Sequence, residues 1–177
     1  MCIRDRYITP LRALSRDLTL AIREPIDEMG WSIGVGTRNG DTTSSERTKQ
    51  LKTPPNILVT TPESLCVLLG NKKAIDLFRN LKSVILDEWH ELMGSKRGTQ
   101  TELALSWLRM QNPKLQTWAL SATIGNPDQA SEHALGKRTK IKLINSAPKR
   151  KTIIKSCLLY TSPSPRDRTR SRMPSSA

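Results

Sequence analysis

The 177-residue sequence predicts an α/β fold, a mainly parallel sheet with helices on both faces, and three observations carry that expectation. Short apolar runs alternate with stretches of helical period, the pattern of repeated strand-helix units whose strands are buried on both faces. Polar clusters stand at the ends of several of those runs, where open parallel sheets bind their ligands. The patterned segment, about 150 residues, is long enough for one domain with a real core.

Taken in order, residues 7–9 read as the end of a strand stopped by Pro10, and residues 11–29 as an amphipathic helix before Gly30. Residues 31–35 are the next strand. Ser44 or Ser45 caps a short helix with Glu46 and Arg47 in its first turn, and Thr53-Pro54-Pro55 ends it. A buried strand at 57–60 leads to Pro62, well suited to the first turn of a helix through Leu69, with a second helical piece at 74–78. The strand at 83–86 delivers Asp87. A helix at 98–110 turns Leu103, Leu105 and Leu108 inward, and a strand at 116–120 delivers Ser121-Ala122-Thr123. A helix at 128–135 and a last strand at 141–144 close the pattern, and Lys149-Arg150-Lys151 reads as a linker. No internal repeat is present.

The two ends behave differently. Met1-Cys2-Ile3-Arg4-Asp5-Arg6 can be encoded by a DNA whose reverse complement translates as Cys-Leu-Leu-Tyr-Thr, the residues at 157–161. That inverted repeat resembles a transposon-end sequencing adapter, and Ser162-Pro163-Ser164-Pro165-Arg166-Asp167 continues as the adjoining primer would. Residues 1–6 and 157–177 are therefore expected to be adapter-derived, and the biological segment to be 7–156, part of a longer protein. The alternative is a natural basic tail.

The formal net charge is +13, and setting aside the two ends, with their six Arg and two Asp, leaves +9. A basic balance favours a polyanionic partner through phosphate neutralisation and counterion release. Two of the three cysteines lie in the ends, so Cys66 stands alone and no disulfide framework is possible. No run approaches the roughly 18–20 apolar residues that span a bilayer. The expected setting is reducing, soluble and cytoplasmic, with no membrane partner.

Asp87-Glu88-Trp89-His90 carries the chemistry. Two carboxylates at the mouth of a buried strand repel one another and lose hydration, so a cation or proton has to accompany them. In phosphoryl transfer one strand-end acid holds Mg²⁺, directly or through water, while another group orients the attacking water. Asp87 suits the first role and Glu88 the second. The plainer alternative is a strand-to-helix junction capped by Asp87. A zinc site using His90 with His133 or Cys66 lacks closely spaced ligand pairs.

Pro10-Leu11-Arg12-Ala13-Leu14, Thr61-Pro62-Glu63-Ser64, Asp87-Glu88-Trp89-His90 and Ser121-Ala122-Thr123 resemble, in the right order, motifs Ia, Ib, II and III of superfamily-two helicases. Arg38-Asn39-Gly40-Asp41-Thr42, the run from Glu91 to Gly98 and the run from Trp118 to Asn126 resemble Lhr-type DEXH-box DNA helicases, especially the bacterial ligase-associated branch. The similarity covers essentially all of 7–156.

The resemblance implies a RecA-like first motor lobe over 7–147, with a linker at 148–156. It implies ATP and Mg²⁺ as cofactors and 3′-to-5′ movement on single-stranded DNA or a tailed duplex in DNA repair. A functional link to a DNA ligase rests on the same resemblance, and the rivals are an RNA helicase of DEAD/DEAH type or a non-catalytic basic nucleic-acid-binding module. Asp87, Glu88 and His90 take catalytic roles. Ser121 and Thr123 couple toward His90, or else only satisfy a turn. Arg12, Arg38, Thr42, Thr61, Ser64, Lys96 and Arg97 face nucleic acid, the alternatives being solvated helix charge, capping and turn formation. Trp89, Trp107 and Trp118 are assigned to packing, the alternative being base stacking.

No G-x-x-x-x-G-K-[ST] phosphate loop occurs, and the family places it before residue 7. The second lobe and its arginine finger would follow residue 156. The expectation is that this polypeptide alone hydrolyses no ATP and presents an exposed sheet edge.

Overall fold

The computed structural model describes residues 5–122, 124–136 and 140–144. The chain divides into two units, Met1–Leu143 and Ile144–Ala177, and every described element lies in the first. Strands and helices alternate as β1 (Asp5–Ile8), α1 (Arg12–Glu28), β2 (Val35–Arg38), α2 (Ser44–Lys52), β3 (Ile57–Thr60), α3 (Pro62–Leu69), α4 (Ala74–Phe78), β4 (Ser83–Leu86), α5 (Trp89–Leu92), α6 (Lys96–Gln111), β5 (Gln116–Ala119) and α7 (Pro127–Leu135). The sheet runs β2-β3-β1-β4-β5, and all four pairings are parallel.

Parallel pairing in one register aligns the strand ends. Arg38, Thr60, Ile8, Leu86 and Ala119 lie side by side across the sheet. The next residue of each strand, Asn39, Thr61, Thr9, Asp87 and Leu120, therefore falls on one rim. On one face, Ile8, Leu58, Val84 and Leu86 pack with Leu65, Leu68, Phe78, Leu105 and Leu108, all essentially buried. On the other face, α1 lies against β2 and β3, where Thr19 Oγ1 meets Thr37 Oγ1 at 2.6 Å. That cover does not extend to β5, which ends the sheet largely exposed.

Several elements differ from the sequence expectation. The second strand is Val35–Arg38 instead of 31–35, because residues 30–33 close the end of α1: Trp31 N–H bonds to Ile26 and Ile33 N–H turns back to Trp31. Gly30, at φ 65°, permits that turn. Thr43 caps α2, forming a capping box with Glu46, so Ser44 and Ser45 are already helical. The one-turn α5 was not expected.

Helix α6 starts at Lys96, capped by Ser95, and Leu103 is 67% exposed. Thr101, Ala104, Leu105 and Leu108 form its buried stripe, which at 3.6 residues per turn leaves position 103 outside. No strand forms at 141–144, where Leu143 and Ile144 are exposed. A strand has no internal hydrogen bonds, and no strand among the described residues pairs with this segment. The linker expected at 148–156 lies outside the described residues.

Candidate functional site

The rim divides into two parts. Over β4 and β5, Asp87 N–H is held by Ile8 carbonyl at 2.8 Å, and Asp87 Oδ1 accepts the Glu88 N–H at 3.0 Å. Oδ2 has no hydrogen-bond partner among the described residues. Glu88 adopts left-handed φ 46°, ψ 46°, the only non-glycine at positive φ among the described residues. Such a conformation costs about 1–2 kcal/mol for a residue with a Cβ, and strain of this kind clusters at functional sites.

The next residue anchors the strained turn. Trp89 N–H bonds to Leu120 carbonyl at 3.0 Å, and its buried indole donates to Ala130 carbonyl at 3.2 Å. With that anchor in place, His90 Nδ1 stands 3.0 Å from Ser121 Oγ and 3.3 Å from Glu88 Oε2. The expected meeting of Ser121 and His90 is present; Thr123 lies outside the described residues. Burial raises the Tyr7 pKa, and the charges of Asp87 and Glu88 raise it further.

A hard carboxylate oxygen at a strand end fits Mg²⁺, which keeps several waters and takes only one or two protein carboxylates. Among the described residues no three His, Cys, Asp or Glu side chains cluster as a metal cage, so a zinc site built on His90 has no ligand set there. Cys66 is a free thiol whose pKa is pushed up, chiefly by burial.

Over β2, β3 and β1 the rim is cross-braced. Arg12 and Arg16 both reach Asp41, at 3.1 and 3.0 Å, and the Arg12 guanidinium lies so close over Gly40 that a Cβ there would meet it at 2.8 Å. Arg12 remains largely exposed. Arg38 differs from expectation: it is 6% exposed and donates to Arg47 carbonyl and Gln50 Oε1 at 3.4 and 3.3 Å, bracing α2 instead of reaching outward. Its pKa is lowered, first by burial and then by the Arg47 charge. Thr42 Oγ1 is likewise engaged, accepting the Asn39 N–H at 2.9 Å.

Thr61 is buried and meets Ser64 Oγ at 3.3 Å. Lys96 is exposed and forms no ion pair among the described residues. Arg97, expected to face a phosphate, instead forks onto the Glu63 carboxylate and donates to Pro10 carbonyl at 2.6 Å. Burial would raise the Glu63 pKa, but the hydrogen bond and charge of Arg97 outweigh it, and the carboxyl lies below its ordinary value.

A cavity of about 200 Å³, lined by Arg38, Gly40, Arg47, Glu63, Ser64 and Val67, opens at this part of the rim. A larger one of about 410 Å³ lies along β2, and neither Asp87 nor Glu88 lines it. Sequence reading missed Arg47, which donates to Thr42 and Asn39 carbonyls at 2.9 and 3.0 Å, and Glu63 as the partner of Arg97. Only Glu63 left a signal, an acid inside the quoted Thr-Pro-Glu-Ser. Trp89 is packed as expected, Trp107 packs partly against the core, and Trp118 is 52% exposed on the edge strand.

Comparison with known proteins gives a consistent result. The sequence profile of the DEAD/DEAH box helicase family matches residues 5–130. The chain is 34% identical over 148 residues to the ATP-dependent helicase Lhr-Core of Saccharolobus solfataricus, covering 79% of this chain and 17% of that protein. It is 35% identical over 146 residues to the Lhr helicase/uracil glycosylase of Escherichia coli, covering 76% of this chain and 9% of that one.

Among solved structures it resembles Mycobacterium smegmatis helicase Lhr bound to ssDNA and AMP-PNP, with TM-score 0.67 and 32% identity over 75% of this chain and 18% of that one. The DUF1998 helicase MrfA bound to DNA and AMPPNP matches with TM-score 0.69 and 32% identity, covering 82% of this chain and 21% of that one. The chain thus spans about a sixth of the Lhr-Core relative.

Proposed function

Since the chain belongs to the DEAD/DEAH box helicase family and is of the Lhr type, we propose that it is the larger part of a first motor lobe coupling ATP hydrolysis to movement on DNA. The observation that carries this reading is the single rim. Parallel register brings the acidic pair Asp87-Glu88 and the His90–Ser121 contact into line with the Pro10–Arg12 and Thr61–Ser64 segments.

In this reading Asp87 would hold Mg²⁺, and Glu88 would orient the attacking water and take its proton. When bound, Mg²⁺ would supply charge neutralisation to the phosphates. His90 passes the state of that site to Ser121, and through it to the segment 121–126. Arg12 and Lys96 offer cations to backbone phosphates, Thr61 and Ser64 lie beside them, and Arg38 and Thr42 shape the turn between.

Single-stranded DNA or a tailed duplex is the proposed track, and the Lhr and MrfA likenesses, both solved with DNA, support it. Polarity, a repair role and a link to a DNA ligase follow from resemblance to the ligase-associated branch. The likeness to the RNA-bound Mss116p, at 22% identity, speaks for the fold alone. Residues 1–6 and 157–177 are proposed to be adapter-derived, with the lobe at 7–147 and a linker at 148–156. No helix among the described residues is long and apolar enough to cross a membrane.

In the full-length protein, recovered from its source DNA, Glu88→Gln is expected to abolish DNA-stimulated ATP hydrolysis while ATP and DNA binding persist. Unchanged turnover would refute the assignment of the base. The 177-residue chain alone is expected to show no hydrolysis above background, and DNA-stimulated turnover by it would sink the claim that a phosphate loop is needed from outside.

A further inference from the structure

We propose that Arg97 and Glu63 form a positioning clamp that ties the acidic-pair turn to the nucleic-acid rim, so that Arg97 acts through Glu63 and Pro10 and not by holding a phosphate. This rests on the motor reading above. One guanidinium joins three segments distant in sequence: it lies at the start of α6, forks onto Glu63 in the first turn of α3, and donates to Pro10 carbonyl just past β1. A planar fork with fixed donors sets distance and angle together, which a lysine cannot do.

The path from the carboxylates to this clamp has little slack. Glu88 opens α5, whose last carbonyl, Leu92, accepts Ser95 Oγ at 2.6 Å. Ser95 Oγ in turn accepts the Gly98 N–H at 3.1 Å. A Cβ on Gly98 would stand 2.1 Å from Leu92 oxygen, so the two helices meet backbone to backbone. A shift at Glu88 therefore carries the start of α6, and with it Arg97, against Glu63 and Pro10. Both ends of the clamp lie near candidate DNA-contacting residues: Arg12 stands two residues after Pro10, and Thr61 and Ser64 bracket Glu63. The pair is partly exposed, and such pairs add little to stability, so holding the fold together is not its main consequence.

The two roles for Arg97 differ in the sign of one measurement. If Arg97 were a phosphate contact, Glu63 would compete with DNA for it, and Glu63→Gln would tighten DNA binding. If Arg97 is a clamp, Glu63→Gln loosens the rim.

The test uses the full-length protein with a single-stranded oligonucleotide. It follows DNA-stimulated kcat, half-saturating DNA concentration and the slope of log affinity against log salt for Glu63→Gln, Arg97→Lys, their double variant and Arg97→Ala. A clamp predicts a loss of DNA stimulation of about tenfold in each single variant, no further loss in the double, and an unchanged salt slope. Tighter binding by Glu63→Gln, a salt slope reduced by about one unit in Arg97→Ala, or additive losses in the double would overturn the proposal, as would no change in any variant. Absence of DNA stimulation in the wild-type protein is a separate result and refutes the motor reading itself.

Discussion

The rim and the interior of the same sheet treat arginine in opposite ways. At the rim Arg38, Arg47 and Arg97 are partly or wholly withdrawn from solvent, and each finds carbonyl or carboxylate acceptors. In the central strand Arg6 is 0% exposed, and its Nε, Nη1 and Nη2 have no hydrogen-bond partner among the described residues. Its neighbours across the sheet are Leu58 and Val84, and the Phe78 ring lies 4.4 Å from its guanidinium carbon. A cation on an aromatic face recovers part of the lost hydration but not the missing acceptors. The rim is built for guanidinium groups; position 6 is built for an apolar side chain, as Ile8 two residues on is. This contrast supports the proposal that residues 1–6 did not evolve with the rest of the chain.

The largest expected effect tests that contrast directly. Arg6→Leu should stabilise the 177-residue chain by about 2–4 kcal/mol, measured by urea unfolding at pH 7. Burial, and secondarily the charge of Arg38, lowers the Arg6 pKa to about 9. With the folded value below the unfolded one, the unfolded chain binds the extra proton above about pH 9, and stability of the parent rises there with pH. The advantage of Arg6→Leu should therefore be full below about pH 9 and shrink above it. A destabilised Arg6→Leu variant would break the comparison.

How much of this was readable follows from what sets each element. The spans of β3, α3, α4 and β4 agree with the sequence because short buried runs there are bounded by Pro, Gly or charge. Trp31 and Ile33 misled because apolar residues that close a helix look like those that begin a strand. Four cap-capable residues stand in a row at 42–45, yet only Thr43 lies three residues before Glu46, so the capping box was present as a signal. Helix α5 is one turn long and has no period to read, and the left-handed Glu88 is invisible in sequence.

At the site, the strand-end rule foresaw that Asp87, Glu88, His90 and Ser121 would gather. It could not foresee that Arg38 and Arg97 would turn inward. Their partners come from turns and helices whose approach is set by tertiary packing, as with Gln50 for Arg38 and Pro10 for Arg97.

Gly98 sharpens the rim side of the comparison. Its missing Cβ is what lets α6 approach Leu92, and the obstructing atoms are backbone, which cannot swing aside. Gly98→Ala should cost about 1–3 kcal/mol, seen as a lowered urea midpoint. The same variant should also weaken Arg97's hold on Pro10 and Glu63, detected as faster amide exchange in the first turn of α3. Full stability with Ala at 98 would mean that α5 and α6 have slack, and the tight path from Glu88 to the rim would be lost.

The smallest effect concerns the start of α2, which carries Arg47 to the turn carbonyls. Thr43 Oγ1 accepts the Glu46 N–H at 3.3 Å, and Glu46 Oε2 accepts the Thr43 N–H at 3.1 Å, satisfying two donors that the helix cannot. Thr43→Ala should cost about 1 kcal/mol, and Thr43→Ser almost nothing, because the hydroxyl is what caps. If the rim is braced through α2, the loss will not stay local. Arg47 N–H groups bonded to Asn39 and Thr42 carbonyls would loosen, and the Asn39 N–H held by Thr42 Oγ1 would exchange faster. Faster exchange confined to the first turn of α2 would instead mean that the turn at 39–42 holds itself, and that Arg47 rests on it without supporting it.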